Sequence, residues 1–448
     1  MCAHARAYRC VRARAVAGQR VVLSAITATT DVENIMTGGL VKSISRMAIA
    51  TAAGAMFAAA GYAADLGGDC CADLEERIAE LEATSARKGN RRVSLAVSGH
   101  VNEAIVFWEV DGAAENNDTN TSFVSHNASR SRFRFDGEAI ITPDWSAGFL
   151  MEFGVRRNDS SAVDQDTPVA SKGLDVRHEA LYLKSKRFGT VWLGWTSAAT
   201  DGITEICLGC GLGNGPDYSD DMGGLKAGGD VTFAQHGGAS VAFAGEGDRR
   251  DVVRYISPTF IGFAFSASTG GDDYWDAALT YGREVKGIRL AFGVGYSQDT
   301  DGSAANSSVS GASCTNKNAD GERDCRSLGL SGSLMHLPSG VYIASAFGMN
   351  EDGLANSGED TNTGWHVTAG VNRKFSPLGK TNLWAMYTTN EREIGQDSSL
   401  DVYGVGVEQK IDAAAMDLYL WYKHMDAELG GNDNGTLDQI VLGSRIKF

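Results

Sequence analysis

The sequence predicts an all-β fold, a closed 16-stranded antiparallel transmembrane β-barrel, and three observations carry that prediction. Hydrophobic residues recur with a two-residue period from about Val93 to Phe448, the alternating segments number sixteen, and the connections between them are alternately short and long. A strand with this period has one apolar face and one wet face. Where such strands run to ten or so residues and fill a chain, lipid can cover the apolar face and the wet face can line a water-filled lumen. The final segment is the clearest case. Ile440, Leu442, Ser444, Ile446 and Phe448 share one face, and Gln439, Val441, Gly443, Arg445 and Lys447 share the other.

Composition agrees. The 448 residues are 43% hydrophobic with a mean hydropathy of −0.18, and no apolar run in the body approaches the ~20 residues that a spanning helix needs. Fifty-five glycines and only six prolines suit long strands with small inward residues. Pro143, Pro258, Pro338 and Pro377 fall between alternating segments, where tight turns belong. Pro168 and Pro216 sit in polar stretches that read as long loops.

Taken in order, residues 41–63 read as a secretory signal. Lys42 and Arg46 form its positive end, residues 47–60 an apolar stretch, and Gly61-Tyr62-Ala63 the small residues that signal peptidase reads. A signal starts at the N-terminus, so the expected start is Met36 or Val41, and residues 1–40 are expected to be an artefact of start-site assignment. Loss of residues 1–63, with seven basic and two acidic side chains, leaves 33 basic against 54 acidic residues and a formal charge of −21. That charge argues against nucleic acid as a partner. In the next segment, 64–91, Leu74, Ile78 and Leu81 fall four and three residues apart among Glu75, Glu76, Arg77, Glu80 and Glu82. This narrow stripe suits a short periplasmic coiled coil or a helix packed on the barrel, with Asp73 as N-cap and Gly89-Asn90 as stop.

The barrel is expected over 92–448. Its strands fall at 92–108, 129–142, 144–157, 175–186, 189–197, 249–257, 260–269, 273–285, 287–299, 326–336, 340–350, 363–375, 379–391, 398–411, 414–427 and 435–448. Short turns lie at Pro143, Gly189, Pro258, Gly287, Pro338, Pro377 and Asp412; longer polar loops lie at 109–128, 158–173, 198–248, 300–325, 351–362, 392–397 and 428–434. Short turns at one end and long loops at the other is the pattern of an outer-membrane barrel. In the second strand Phe133, Phe135, Ala139 and Ile141 are in phase, so Arg130, Arg132 and Arg134 face the other way. A charge on the lipid face at mid-bilayer costs ~2–4 kcal/mol, which places these arginines in the lumen as a basic ladder. The third strand adds Glu152 and Arg156 by the same rule, and the first adds His100 and Asn102.

Three stretches resemble the trimeric general porins of Gram-negative outer membranes, and the chain as a whole resembles their alphaproteobacterial branch. One is the run from Arg249 to Phe263, whose Val253-Arg254-Tyr255-Ile256-Ser257-Pro258 is similar to the porin Val-Arg-Tyr-x-Ser-Pro core. Another is Arg130-Ser131-Arg132-Phe133-Arg134-Phe135, and the third is the C-terminal Gly443-Ser444-Arg445-Ile446-Lys447-Phe448. The resemblance implies a homotrimer and a third loop folded into the lumen to narrow it. Residues 198–248 occupy that loop's place. Its acids, Asp201, Glu205, Asp217, Asp220 and Asp221, are then expected to oppose the basic wall of Arg130, Arg132, Arg134 and Arg156 and to set a transverse field across the gap.

The expected function is passive diffusion of small hydrophilic solutes and ions, filtered by size and charge, with outer-membrane lipid and lipopolysaccharide around the barrel. Two alternatives stand beside it. One is a substrate-preferring channel, which rows of lumen aromatics would favour; Tyr342 and Trp384 face the lumen by phase, but two scattered rings do not make a track. The other is a structural barrel tethered to the cell wall through the 65–92 helix. Export permits disulfides. Cys314 and Cys325 can close one polar stretch, and the lone Cys207-x-x-Cys210 pair reads as a disulfide or free thiols ahead of a zinc site. Gly211–Gly215 lacks the Lys-Ser/Thr of a phosphate cradle. Asp164-Gln165-Asp166 and Asn432-Asp433-Asn434 lack the ligands for an assigned cation site. No coherent Ser/His/Asp set is present, so neither an enzyme nor a cofactor is expected.

Overall fold

The computed structural model describes residues 93–448 apart from 113–115, 171–172, 217–220, 237–242, 272, 301–315, 320, 355–360 and 394–396. The expected upstream segment, signal and helix (1–40, 41–63 and 64–91) lie outside the described residues, as do Asp217, Asp220 and Cys314.

Alternation sets the wall. Strand β1 (Ser94–Gly112) turns Leu95, Val97, Val101 and Phe107 outward while Asn102, Ala104 and Val106 are buried on the inner face. It pairs on one side with β19 (Asn432–Lys447), His100 opposite Lys447, so the first and last strands close the sheet. Its other side is met by two strands in succession. β2 (Asp118–Val124) pairs with its upper half and β3 (Arg132–Ile140) with its lower half. The seventeen-stranded sheet is therefore a closed 16-strand antiparallel barrel in which β2 and β3 share one position.

The remaining wall strands follow in chain order, each paired with its neighbours: β4 (Trp145–Arg156), β5 (Gly173–Ser185), β6 (Gly189–Ser197), β9 (Arg249–Ile256), β10 (Phe263–Gly270), β11 (Trp275–Val285), β12 (Ile288–Asp299), β13 (Cys325–His336), β14 (Val341–Asp352), β15 (Thr361–Ser376), β16 (Gly379–Arg392), β17 (Ser398–Ile411) and β18 (Met416–Leu429). Two short strands, β7 (Lys226–Gly228) and β8 (Val231–Thr232), form a hairpin of their own within the long connection from β6 to β9.

The structure corrects three expected boundaries. The loop expected over 109–128 is mostly strand, because β1 runs to Gly112 and β2 begins at Asp118. The single strand expected over 129–142 starts only at Arg132, after a 3-10 turn at Asn127–Ser129. The loop expected over 428–434 is a tight turn at Gly430 and Gly431, both with positive φ, so that β18 and β19 continue almost to the tip. A common cause underlies these misses. At the loop end of the barrel the hydrophobic face swaps sides: Val106, Trp108, Val110, Leu400, Val402, Met425, Ala427 and Leu437 are buried inside, while Glu109, Asp111 and Glu428 are exposed outside. Geometric alternation persists there. Polar outer residues in that zone resemble a loop in the sequence, and the apolar inner residues are covered by what fills the lumen.

Candidate pore constriction

The 198–248 connection fills that space. Starting from β6 it runs along the inner wall, fastened strand by strand through its backbone. Thr200 N donates to Asp276 (2.7 Å), Ile206 N to Ser331 (3.2 Å), Leu208 N to Ser333 (3.1 Å) and Leu212 N to Glu408 (2.9 Å). Small residues permit this approach. A Cβ on Gly213 would lie 2.6 Å from the Trp421 ring, and one on Gly348 only 1.5 Å from the Ala244 carbonyl oxygen of the returning limb. Beyond the tip, Met222, Leu225, Ala227 and Phe233 pack with Trp108, Val110, Trp384, Leu400, Tyr419, Trp421 and Leu437 into one buried apolar cluster. Tyr342 and Trp384 do face inward, yet both are covered by this loop.

Two polar anchors hold it. Asp221, 1% exposed, forms a buried ion pair with Lys423 of β18; its carbonyl accepts from Gln439 Nε2 at 2.9 Å, and His126 Nε2 lies 3.3 Å from its Oδ1. Burial alone would raise the Asp221 carboxyl, but the Lys423 ammonium and His126 outweigh it and hold the group below its ordinary 3.8. At the loop's base the Glu246 carboxylate accepts from Gly202 N, Thr204 N (2.7 Å) and Thr204 Oγ1. Burial, with Glu205 and Asp201 nearby, pushes Glu246 well above 4.5.

The stretch between β2 and β3, residues 125–131, folds inward to meet the loop. His126 is fully buried with its ring 5.2 Å from Trp421, edge-on. Asn102, whose Nδ2 donates to the His126 and Ser129 carbonyls at 3.1 Å, holds the fold in place.

The wall from β3 to β6 carries the charges. Arg132 and Arg134 of β3 and Arg177 of β5 converge on Glu152 of β4, at 3.4, 2.6 and 2.7 Å. Arg130 and Arg156 meet at Asp175 (2.9 and 3.2 Å), and Arg156 also reaches Asp159 at 3.2 Å. The expected ladder thus lies on the inner wall, except that Arg130 caps the inward fold instead of belonging to a strand. Alternation counted back from Leu183 and Leu181 misassigns Arg177, which it sends to the outer face. The pairing of β4 with β5 shifts between Glu152 and Phe153, and this bulge turns both Arg177 and His178 inward. A guanidinium in the apolar phase was itself the available signal. Arg249, quoted only within the resemblance, stands in the field of Asp201, Asp248, Glu152 and Glu205.

The loop acids divide. Asp201 is partly exposed and Glu205 is exposed, both on the limb that follows β6. Asp221 does not face the passage: its buried pairing with Lys423 makes it an anchor, which corrects its expected role. Cys207 and Cys210 are disulfide-bonded to each other. Cys325 is 1% exposed and disulfide-bonded, and Cys314, the partner expected for it, lies outside the described residues.

A barrel of sixteen staves with an inward third loop defines a channel-forming outer-membrane class. A sequence model of the Gram-negative porin family matches residues 48–428, and the chain belongs to that family. Among solved structures the fold is similar to the anion-selective porin from Comamonas acidovorans, at 15% identity over 80% of this chain and 100% of that one, with a TM-score of 0.55. It is also similar to a loop L8 deletion mutant of OmpT from Vibrio cholerae (15%, 80% and 100%, 0.51) and to Pseudomonas putida OprB (9%, 88% and 100%, 0.52). No curated protein sequence matches the chain. As a member of this family the protein is an outer-membrane channel for passive diffusion.

Proposed function

We propose that the channel filters small hydrophilic solutes and ions by charge, at a gap between the β3–β6 wall and the edge of the third loop. The observation that carries this reading is the convergence of Arg132, Arg134 and Arg177 on the single carboxylate Glu152 of the inner wall. Three guanidinium groups against one carboxylate leave that patch positive, and Asp201 and Glu205 supply the opposing sign. Fixed charges across a narrow aqueous gap orient dipolar solutes and set ion preference. No side chain changes covalently during passage, and the inward rings of Trp108, Trp384, Tyr419 and Trp421 lie under the loop, where they offer no track to a preferred substrate.

We further propose the trimer, within the alphaproteobacterial branch, with lipid and lipopolysaccharide around it. Glu179 supports the association: it is exposed on the outer face between Met151 and Trp195, midway along β5, with Leu181 next in phase. A carboxylate there is poorly matched to lipid and better matched to a neighbouring barrel. Planar-bilayer recordings test both parts. Each insertion of wild-type protein is expected to give three equal conductance levels. Arg132→Ala with Arg134→Ala is expected to move the reversal potential toward cations; an unchanged reversal potential would remove the wall from the filter.

A further inference from the structure

The Cys207–Cys210 disulfide plays no part in the filter or in the anchors, yet it lines a cavity inside the barrel. We propose that it is a thiol-exchange site of the channel, whose substrates are small-molecule thiols arriving through the lumen. The proposal rests on the reading of the lumen as a solute path.

The bond sits in a held segment. Ile206 and Leu208 are hydrogen-bonded to Ser331 and Ser333 on one side, and Leu212 to Glu408 on the other. Both cysteines are half-buried and line a cavity of about 170 Å³ with Glu205, Pro216 and Ala128. That cavity lies between the loop and the inner wall at Ala344, Ser345, His366 and Thr368, with Ala128 of the inward fold also on its lining, so a small solute in the lumen can reach the bond from this side. Cys325 contrasts with it, being 1% exposed.

The local geometry also assigns a direction to the exchange. Cys210 N donates to Cys207 Sγ at 3.1 Å, a contact that stabilises negative charge on Cys207 and makes it the better leaving group. An incoming thiolate attacks Cys210 Sγ, the Cys207–Cys210 bond breaks, and its electron pair leaves on Cys207 as a thiolate. Cys210 then carries the incoming thiol as a mixed disulfide. A second thiol attacks that bond, freeing Cys210 and releasing a small-molecule disulfide. The protein disulfide is reduced by two electrons and two thiols are oxidised to one disulfide. The mixed-disulfide stage places bulk, and with an anionic thiol extra negative charge, beside Glu205 and opposite the arginine wall.

The experiment adds reduced glutathione, and separately dithiothreitol, to channels recorded in planar bilayers, with peptide mass mapping of the same folded preparation in detergent. The expected result is one glutathione per chain on Cys210, or Cys207 and Cys210 both alkylatable after dithiothreitol. Glutathione is expected to lower single-channel current, and dithiothreitol to reverse that loss. C207S/C210S, which leaves Cys325 in place, should conduct and ignore both reagents; if this variant does not fold, the wild-type mass map alone decides. A conducting wild type with no adduct at either cysteine and no change in current overturns the proposal and leaves the channel standing. An adduct in detergent with no current under any condition removes the channel reading instead.

Discussion

The two halves of the lumen wall use opposite chemistry on the same sheet. From β16 through β19 to β1 and β2 the part of the inner face that the third loop covers is dry: Trp108, Trp384, Tyr419, Trp421 and Leu437 pack in one cluster with loop residues, and the Asp221–Lys423 ion pair is buried beside them. From β3 to β6 it is charged: arginine side chains 11–23% exposed meet Glu152, itself 1% exposed, and the partly exposed Asp175. The difference shows that a lumen-facing position is not in itself polar. What matters is whether the loop or water covers it. If the proposed filter holds, stability is concentrated on the dry side and selectivity on the charged side, so substitutions in the two halves should report in different assays.

The largest expected effect breaks that division on the dry side. Lys423→Met leaves Asp221 charged and without its cation in a site 1% exposed, which is expected to cost ~3–5 kcal/mol in chemical unfolding in detergent. Adding Asp221→Leu should restore most of the loss, because apolar residues of similar volume can replace a buried pair. Acid acts on the same anchor. The folded Asp221 carboxyl titrates below its ordinary 3.8, so its contribution is complete above about pH 4 and is lost as pH falls further. Equal losses for Lys423→Met and for removal of a partly exposed charge on the β3–β6 wall would refute the contrast.

The wall was legible in the sequence because a two-residue period needs no knowledge of partners. Leu95, Val97, Val101, Ile440 and Leu442 all lie on the outer face expected of them. The site was legible in part. Arg132 and Arg134 follow from phase alone, whereas Arg177 depends on a bulge set by the pairing of β4 with β5. Asp221 could not be told from Asp201 by composition, since its role is fixed by Lys423, 202 residues away in the chain. The strand residues 109–112 and 118–124 resemble a loop for a similar reason. Polar residues on the outer face reveal a strand only once the third loop is known to bury Val106, Trp108 and Val110 on the other side.

A smaller effect sharpens the packing side of the comparison. Gly213 lies against Trp421, and a Cβ there would come within 2.6 Å of the ring. Gly213→Val is expected to destabilise by ~1–3 kcal/mol through overpacking, and to raise current noise as the loop tip loses its seat. Gly215, where an added Cβ meets nothing within 4 Å, supplies the control: Gly215→Ala should leave both readouts unchanged.

The smallest effect concerns the loop's base, where the charged and dry surfaces join. Glu246 staples residue 246 to Gly202 and Thr204. Burial, together with Glu205 and Asp201, raises its carboxyl well above 4.5, so the folded chain binds this proton more tightly than the unfolded chain does. Its contribution is therefore complete below about pH 4.5 and declines as pH rises toward the folded value. The base of the loop weakens toward alkali, while the Asp221 anchor weakens toward acid. Glu246→Gln keeps an amide oxygen to accept from Thr204 N and has no proton to lose. Wild-type channel noise is expected to grow as pH rises through this window and the Gln variant to stay flat; parallel pH profiles would mean that the staple does not govern the loop's base.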